Sequence, residues 1–315
     1  KGCPSLSFSS DFKDLIFSDV FILCIPTPIN KSNQPDLTML IEATKTVGNI
    51  IKLREKDTSS IIIYESTVYP GATEQICFPL IEKQSSKVLN KDFFGGYSPE
   101  RINPSDKDHK LNDIVKVTSG SDKESAIWID KFYSLIIEAG TFMAKNIKTA
   151  EAAKVIENTQ RDVNIALINE FAIIFNKLGL DTMEILEAAS TKWNFLKFRP
   201  GLVGGHCIGV DPYYLSYVSQ LMDYYPNLIL SGRRMNEYMP EWVAEQTLLK
   251  MNKKGILISG SEILILGFSF KENCADFRNT GVIKLINCFK RHRVKVTVVD
   301  PIVDKNDVMD CFQIN

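Results

Sequence analysis

Gly204-Gly205-His206-Cys207-Ile208-Gly209-Val210-Asp211-Pro212 sets a thiol beside two glycines, with a carboxylate four residues on. Glycines let a backbone turn sharply and approach a bound molecule closely. A cysteine in such a turn is exposed enough to act as a nucleophile, through its thiolate. The plainer alternative is a buried structural thiol, the commoner fate of a free cysteine. The rest of the sequence decides between them.

Around this stretch, β-branched runs alternate with helical periodicity. Residues 20–25 and 60–64 read as strands covered on both faces, as in a parallel sheet, with a helix over 37–52 between them. Further strands are expected over 94–97 and 114–118, and a helix over 125–137. This is the alternation of a doubly wound α/β domain. A long helix over 150–178 ends at Gly179, and Asp181 caps the next helix, to about 190. Helices over 215–222 and 241–250 make the middle region mostly α. A strand over 262–267, a helix over 281–290 and a strand over 294–299 open a second α/β domain. No closing element is expected after that strand.

The 315 residues exceed one typical core, so two or three domains are expected. A net charge of -1 without a basic run argues against nucleic acid and anionic membranes. No apolar run reaches the roughly 18 residues of a membrane span. The seven cysteines (3, 24, 77, 207, 274, 288 and 311) include no C-x-x-C, which favours neither a disulfide framework nor zinc. A reducing cytoplasm is the expected compartment. The three histidines weigh against a metal enzyme.

Six motifs in series carry a family resemblance: Ile25-Pro26-Thr27-Pro28, Glu65-Ser66-Thr67-Val68-Tyr69-Pro70-Gly71, Tyr97-Ser98-Pro99-Glu100-Arg101, Ala153-Lys154 through Glu157-Asn158, the cysteine motif, and Gly267-Phe268-Ser269-Phe270-Lys271. The chain resembles the nucleotide-sugar 6-dehydrogenases, the group of UDP-glucose and GDP-mannose dehydrogenases. The resemblance implies two Rossmann-like doubly wound domains joined by a helical dimerisation domain with a long central helix. The expected division is 1–147 (NAD-binding), 148–250 (helical, with the cysteine loop) and 251–315 (nucleotide-sugar-binding). The reaction implied is a four-electron oxidation of a sugar primary alcohol to a carboxylate. It uses two NAD+ in turn and passes through a covalent thioester.

Site roles follow from the same resemblance. Cys207 is the nucleophile, and Asp211 positions a proton-relay water, its alternative being a plain turn residue before Pro212. Lys154 is a cation for a developing oxyanion, with Asn158, one turn on, as its neighbour. Thr67 orders a water near the nicotinamide, and Glu100 activates water for thioester hydrolysis. Pro26, Thr27, Glu65, Thr67 and Arg278 are assigned to NAD. Phe195, Leu196, Lys197, Arg199, Gly204 and Lys271 are assigned to the substrate. Arg233 and Arg234 are weighed between its diphosphate and a surface charge. No metal is expected, and a homodimer through the central helices is.

Val210 stands where UDP-glucose dehydrogenases commonly carry Lys, so the resemblance leans toward UDP-N-acetylglucosamine and UDP-N-acetylgalactosamine 6-dehydrogenases of surface-polysaccharide pathways. One departure stands out. The sequence holds no G-x-G-x-x-G pyrophosphate turn, and the chain is expected to be a fragment lacking that turn and the end of the last domain. Two alternatives remain: a two-electron dehydrogenase of related fold, and a truncated copy that binds nucleotide sugar without catalysis.

Overall fold

The computed structural model describes residues 6–54, 59–102 and 109–312, so Cys3 lies outside them. The chain divides into two compact units, Lys1–Val155 with Tyr213–Val218, and Ile156–Pro212 with Ser219–Asn315.

The first unit is built on a parallel sheet. Strands β1 (Val20–Leu23), β2 (Ser60–Tyr64) and β3 (Phe93–Tyr97) lie in that order, with α1 (Thr38–Leu53) crossing from β1 to β2 and α2 (Phe78–Ser85) preceding β3. The run Ile62-Ile63-Tyr64 is fully buried, because helices cover both faces of its strand. On one face Ile63 packs with Ile129, Tyr133 and Ile137. On the other, the hydroxyls of Thr44 and Tyr64 meet at 3.1 Å. Strands β4 (Lys116–Thr118) and β5 (Thr141–Met143) form a second parallel pair, spanned by α3 (Lys123–Ser134).

Helix α4 runs over Ile147–Leu178 and passes from the first unit to the second. It ends as expected: Gly179 has φ +72 and the Leu180 amide returns to Phe175 O at 2.9 Å. Asp181 then caps α5 (Thr182–Ala189), accepting the amides of Met183 and Glu184. Helix α6 spans Asp211–Leu221 and α7 spans Asn227–Lys253. The parallel pair β6 (Glu262–Leu266) and β7 (Lys295–Val299) flanks α8 (Gly281–Arg291), and α9 (Lys305–Phe312) follows. Ala244 and Leu248 of α7 pack with Leu285, Cys288 and Phe289 of α8. No helix among the described residues is long and apolar enough to cross a membrane.

Three expectations need correction, and one helix was not foreseen. The strand expected over 20–25 stops at Leu23, because the Ile25 amide leaves the ladder for Ser66 Oγ at 2.9 Å. The helix expected over 241–250 starts at Asn227 and runs through Pro240. Buried Arg233, Asn236 and Met239 on one side, and Ala244 and Leu248 on the other, hold both halves in line despite the missing donor. Helix α2 is not among the expected elements; its Pro79 lies in the first turn, where no amide donor is needed. A closing element does follow β7: Phe312 of α9 meets Phe268 and Phe277 at ring distances of 6.0 Å.

Candidate active site

In the first unit, the loops leaving the carboxyl ends of β1, β2 and β3 carry Thr27, Thr67 and Glu100, the edge where open α/β sheets bind ligands. Thr27 Oγ1 donates to Thr67 O at 2.6 Å, joining two of these loops. The phenol of Tyr214, fully buried, donates to Thr27 O at 2.7 Å. Lys154 is not a solvated helix charge. It is 6% exposed and its ammonium donates to Glu100 O at 2.6 Å. The Glu100 carboxylate accepts the amide of Ile102.

Glu65 is engaged within the protein. Its carboxylate takes the ammonium of buried Lys116 at 2.8 Å and the hydroxyl of Tyr133, and Lys116 lies 4.8 Å from the Tyr133 ring centre. The negative charge of Glu65 adds to burial in pushing the Tyr133 phenol upward.

Sequence reasoning missed Glu151, three residues before Lys154 on α4. Wholly buried, it accepts the amides of Gly71 and Thr73 and so ties the end of the Thr67 loop to that helix. Its signal was a carboxylate on the same helical face as Lys154 and Asn158. Burial pushes this carboxyl from 4.5 up to about 7, against the two amides. Between those values the native state holds a proton that the unfolded chain releases. Stability therefore falls as pH rises through that window, by roughly 3 kcal/mol in all. Stability from denaturant unfolding should fall with pH more steeply in the wild type than in Glu151→Gln between pH 4.5 and 7, with equal slopes above pH 7. Parallel curves from pH 5 to 8 would refute this.

In the second unit, Cys207 is an exposed thiol. The amides of Val210 and Asp211 both return to Cys207 O, at 3.1 and 2.8 Å, which closes the turn. Asp211, 2% exposed, accepts Asn158 Nδ2 at 2.6 Å, so it is more than a turn residue before Pro212. Gly204 and Gly205 are needed for packing: a methyl on either would lie 2.6–2.8 Å from Phe270, and Gly205 has φ +82. The segment bearing Lys271 and Arg278 thus docks on the nucleophile loop, with Gly205 N donating to Arg278 O at 3.2 Å.

The expected cationic residues differ in setting. Arg278 makes a two-pronged contact with Asp276 at 2.8 and 2.7 Å, holding that carboxyl below its usual range. Asp276 Oδ2 also lies 3.8 Å from His206 Nδ1. Arg233 is not a surface charge: it is 6% exposed and donates to buried Asp162 at 2.6 Å. Arg234 is exposed and donates to Ser231 Oγ. Lys197 and Arg199 are exposed and, with Phe198, face α5 across a cleft of about 360 Å³. Leu196 is also exposed. The Phe195 and Phe198 amides are used within the loop, on Lys192 O and Leu196 O. No group of three or more His, Cys, Asp or Glu side chains among the described residues is arranged to hold a metal.

Comparison with known proteins matches three domains of one family, UDP-glucose/GDP-mannose dehydrogenase: its NAD binding domain over 2–137, its central domain over 148–238 and its UDP binding domain over 264–314. A UDP-N-acetyl-D-glucosamine 6-dehydrogenase of Salmonella typhi is 54% identical over 96% of this chain and 70% of its own length. The chain belongs to the UDP-glucose/GDP-mannose dehydrogenase family. The Pseudomonas aeruginosa protein of the same name is 53% identical over 98% of the chain and 72% of its own length. A solved UDP-D-ManNAc dehydrogenase from Pyrococcus horikoshii superposes with a TM-score of 0.85 at 32% identity, covering 94% of this chain and 68% of that one.

The protein is therefore an NAD-dependent oxidoreductase of this family. Its residues fit a dinucleotide where three parallel strands end, at the linked Thr27 and Thr67 loops. The glycine turn for the pyrophosphate has no counterpart in the sequence.

Proposed function

We propose that this protein oxidises the C6 alcohol of a UDP-N-acetylhexosamine, UDP-N-acetylglucosamine first, to the uronate for surface-polysaccharide precursors. The observation that carries this reading is the exposed Cys207 thiol, in a turn whose Asp211 is held by Asn158. The high identity to dehydrogenases of UDP-N-acetylglucosamine supports the choice of sugar.

NAD+ supplies the hydride acceptor, and the two hydrides leaving the sugar require two molecules of it. The alcohol first loses a proton and a hydride to give an aldehyde. The Cys207 thiolate adds to that carbonyl carbon, forming a thiohemiacetal, and loss of the second hydride leaves a thioester. Water then displaces the thiolate and releases the carboxylate. Lys154 stabilises the oxyanion at each stage, Thr67 orders water, and Glu100 takes its proton in the hydrolysis. Asp211 positions the proton-relay water, and Asn158, expected beside Lys154, instead donates to Asp211. Pro26, Thr27, Glu65 and Arg278 serve the cofactor. Phe195, Leu196, Lys197, Arg199, Gly204, Lys271 and the exposed Arg234 serve the nucleotide sugar, while Arg233 is kept by buried Asp162.

The reading includes a domain division at 147/148 and 250/251, a homodimer through the central helices and a cytoplasmic setting. Counting NADH formed per UDP-N-acetylglucosamine consumed tests the chemistry, with Cys207→Ala alongside. Two NADH per sugar, lost in the variant, is expected. One NADH per sugar with an unaffected variant would favour a simple two-electron dehydrogenase. Turnover confined to the C4 epimer, UDP-N-acetylgalactosamine, would overturn the choice of sugar alone.

A further inference from the structure

We propose that Asn169 is a positioning residue that clamps the start of the nucleophile segment, at the end of a buried side-chain relay running Arg233, Asp162, Asn236, Asn169. The proposal rests on Cys207 being the reacting group, and all its contacts lie within the second unit.

The relay is closed by geometry. The Asn169 amide pairs with both backbone groups of Gly201: Gly201 N donates to its Oδ1 at 2.9 Å and its Nδ2 donates to Gly201 O at 3.1 Å. Its second N–H goes to Asn236 Oδ1 at 2.9 Å. Asn236 Nδ2 in turn donates to Asp162 O at 2.9 Å and Asp162 Oδ1 at 2.7 Å. Asp162 Oδ1 also accepts Arg233 Nη1 at 2.6 Å. Each amide can face only one way, since a flip would set N–H against N–H. Asn169 and Asp162 are 0% exposed and Asn236 2%, so each mispairing would leave a buried polar group unmatched.

A satisfied core asparagine is the ordinary explanation for such burial. The termini of the relay argue for more. Gly201 lies six residues before Cys207. At the other end Arg233 lies under Gly209, two residues after it: a methyl built there would be 3.8 Å from Nη2 and 4.0 Å from Nη1. Asn158 fixes Asp211 just beyond. The exposed thiol therefore sits on a short span gripped at both ends by side chains of α4 and α7. A loop held this way keeps its nucleophile within the narrow tolerance that catalysis needs.

The test reads the thiol as well as the turnover. In Asn169→Ala, alkylation of Cys207 by iodoacetamide, resolved by peptide mass spectrometry, should accelerate at least threefold. Rates at Cys24 and Cys311 should be unchanged. In the same variant kcat should fall at least tenfold, with KM for NAD+ within twofold of wild type. Asn236→Ala should act in the same direction, and the double variant should lose no more than the worse single, within twofold. Unchanged Cys207 alkylation, or losses that multiply in the double variant, would overturn the clamp. Should both variants fail to fold, the wild type still decides. Hydrogen exchange at the Gly201 amide should be slow for a loop, and exchange at the rate of an unprotected amide would overturn the proposal. These readouts stand apart from the NADH count, so failure of the thioester chemistry and failure of the clamp are distinguishable.

Discussion

Lys154→Met should lower kcat by roughly 10²–10³-fold while leaving the thermal midpoint unchanged or higher. The two effects have one origin. Lys154 is a buried cation whose 2.6 Å partner is the carbonyl of Glu100, a dipole and not a carboxylate. It forms no ion pair among the described residues. Removing an ammonium from water is unfavourable, and one carbonyl offsets only part of that penalty. Methionine has nearly the same length, fills the space and needs no counter-charge. The charge is thus better explained by a reaction in which an oxyanion appears than by folding. Steady-state NADH formation and calorimetry on the same preparation check both halves. Activity within threefold of wild type would remove Lys154 from the chemistry. A midpoint lowered by many degrees would show that its cation is structural.

The thiol turn, the Ala153–Asn158 helix segment and the Gly179 cap were legible in the sequence, because each is a local pattern with a local cause. Glu151, Asp162 and Asn169 were not, although with Lys154 and Asn158 they fall on one face of α4. Polar residues at helical spacing ordinarily mark a solvated face. Here all five are buried, and what they bind (the amides of Gly71 and Thr73, a carbonyl at Glu100, the side chains of Asp211, Arg233 and Asn236, both backbone groups of Gly201) comes from far along the chain. No single-sequence pattern encodes those partners. The same applies to Arg233, which the sequence presented as either a phosphate ligand or a surface charge. Its Asp162 partner lies on another helix, 71 residues away. Helix α7 crosses Pro240 for a related reason: tertiary anchors on both sides outweigh a local break.

Gly204→Ala should cut kcat/KM at least tenfold and destabilise the protein by about 1–3 kcal/mol. A methyl there would stand 2.6 Å from Phe270 Cβ, 2.8 Å from Asn279 O and 3.3 Å from Thr280 Cα. None of these is the far end of a flexible side chain, so no rotamer change relieves the clash. Thr280 is itself fixed, since its hydroxyl donates to Phe268 O at 2.8 Å and caps α8 through the Val282 amide. The strain must therefore part the nucleophile loop from the 268–280 segment, moving Lys271 and Arg278 relative to Cys207. A comparison separates this clash from the general burden of a side chain on glycine. Gly255 has φ +73 with open space around it, so Gly255→Ala meets only the backbone penalty, about 1–2 kcal/mol, and should leave kcat/KM unchanged. Equal losses of activity in the two variants would mean that stability alone governs turnover. Loss confined to Gly204→Ala would mean that the close approach of Phe270 to the glycine pair holds the reacting thiol in register with the segment that carries Lys271 and Arg278.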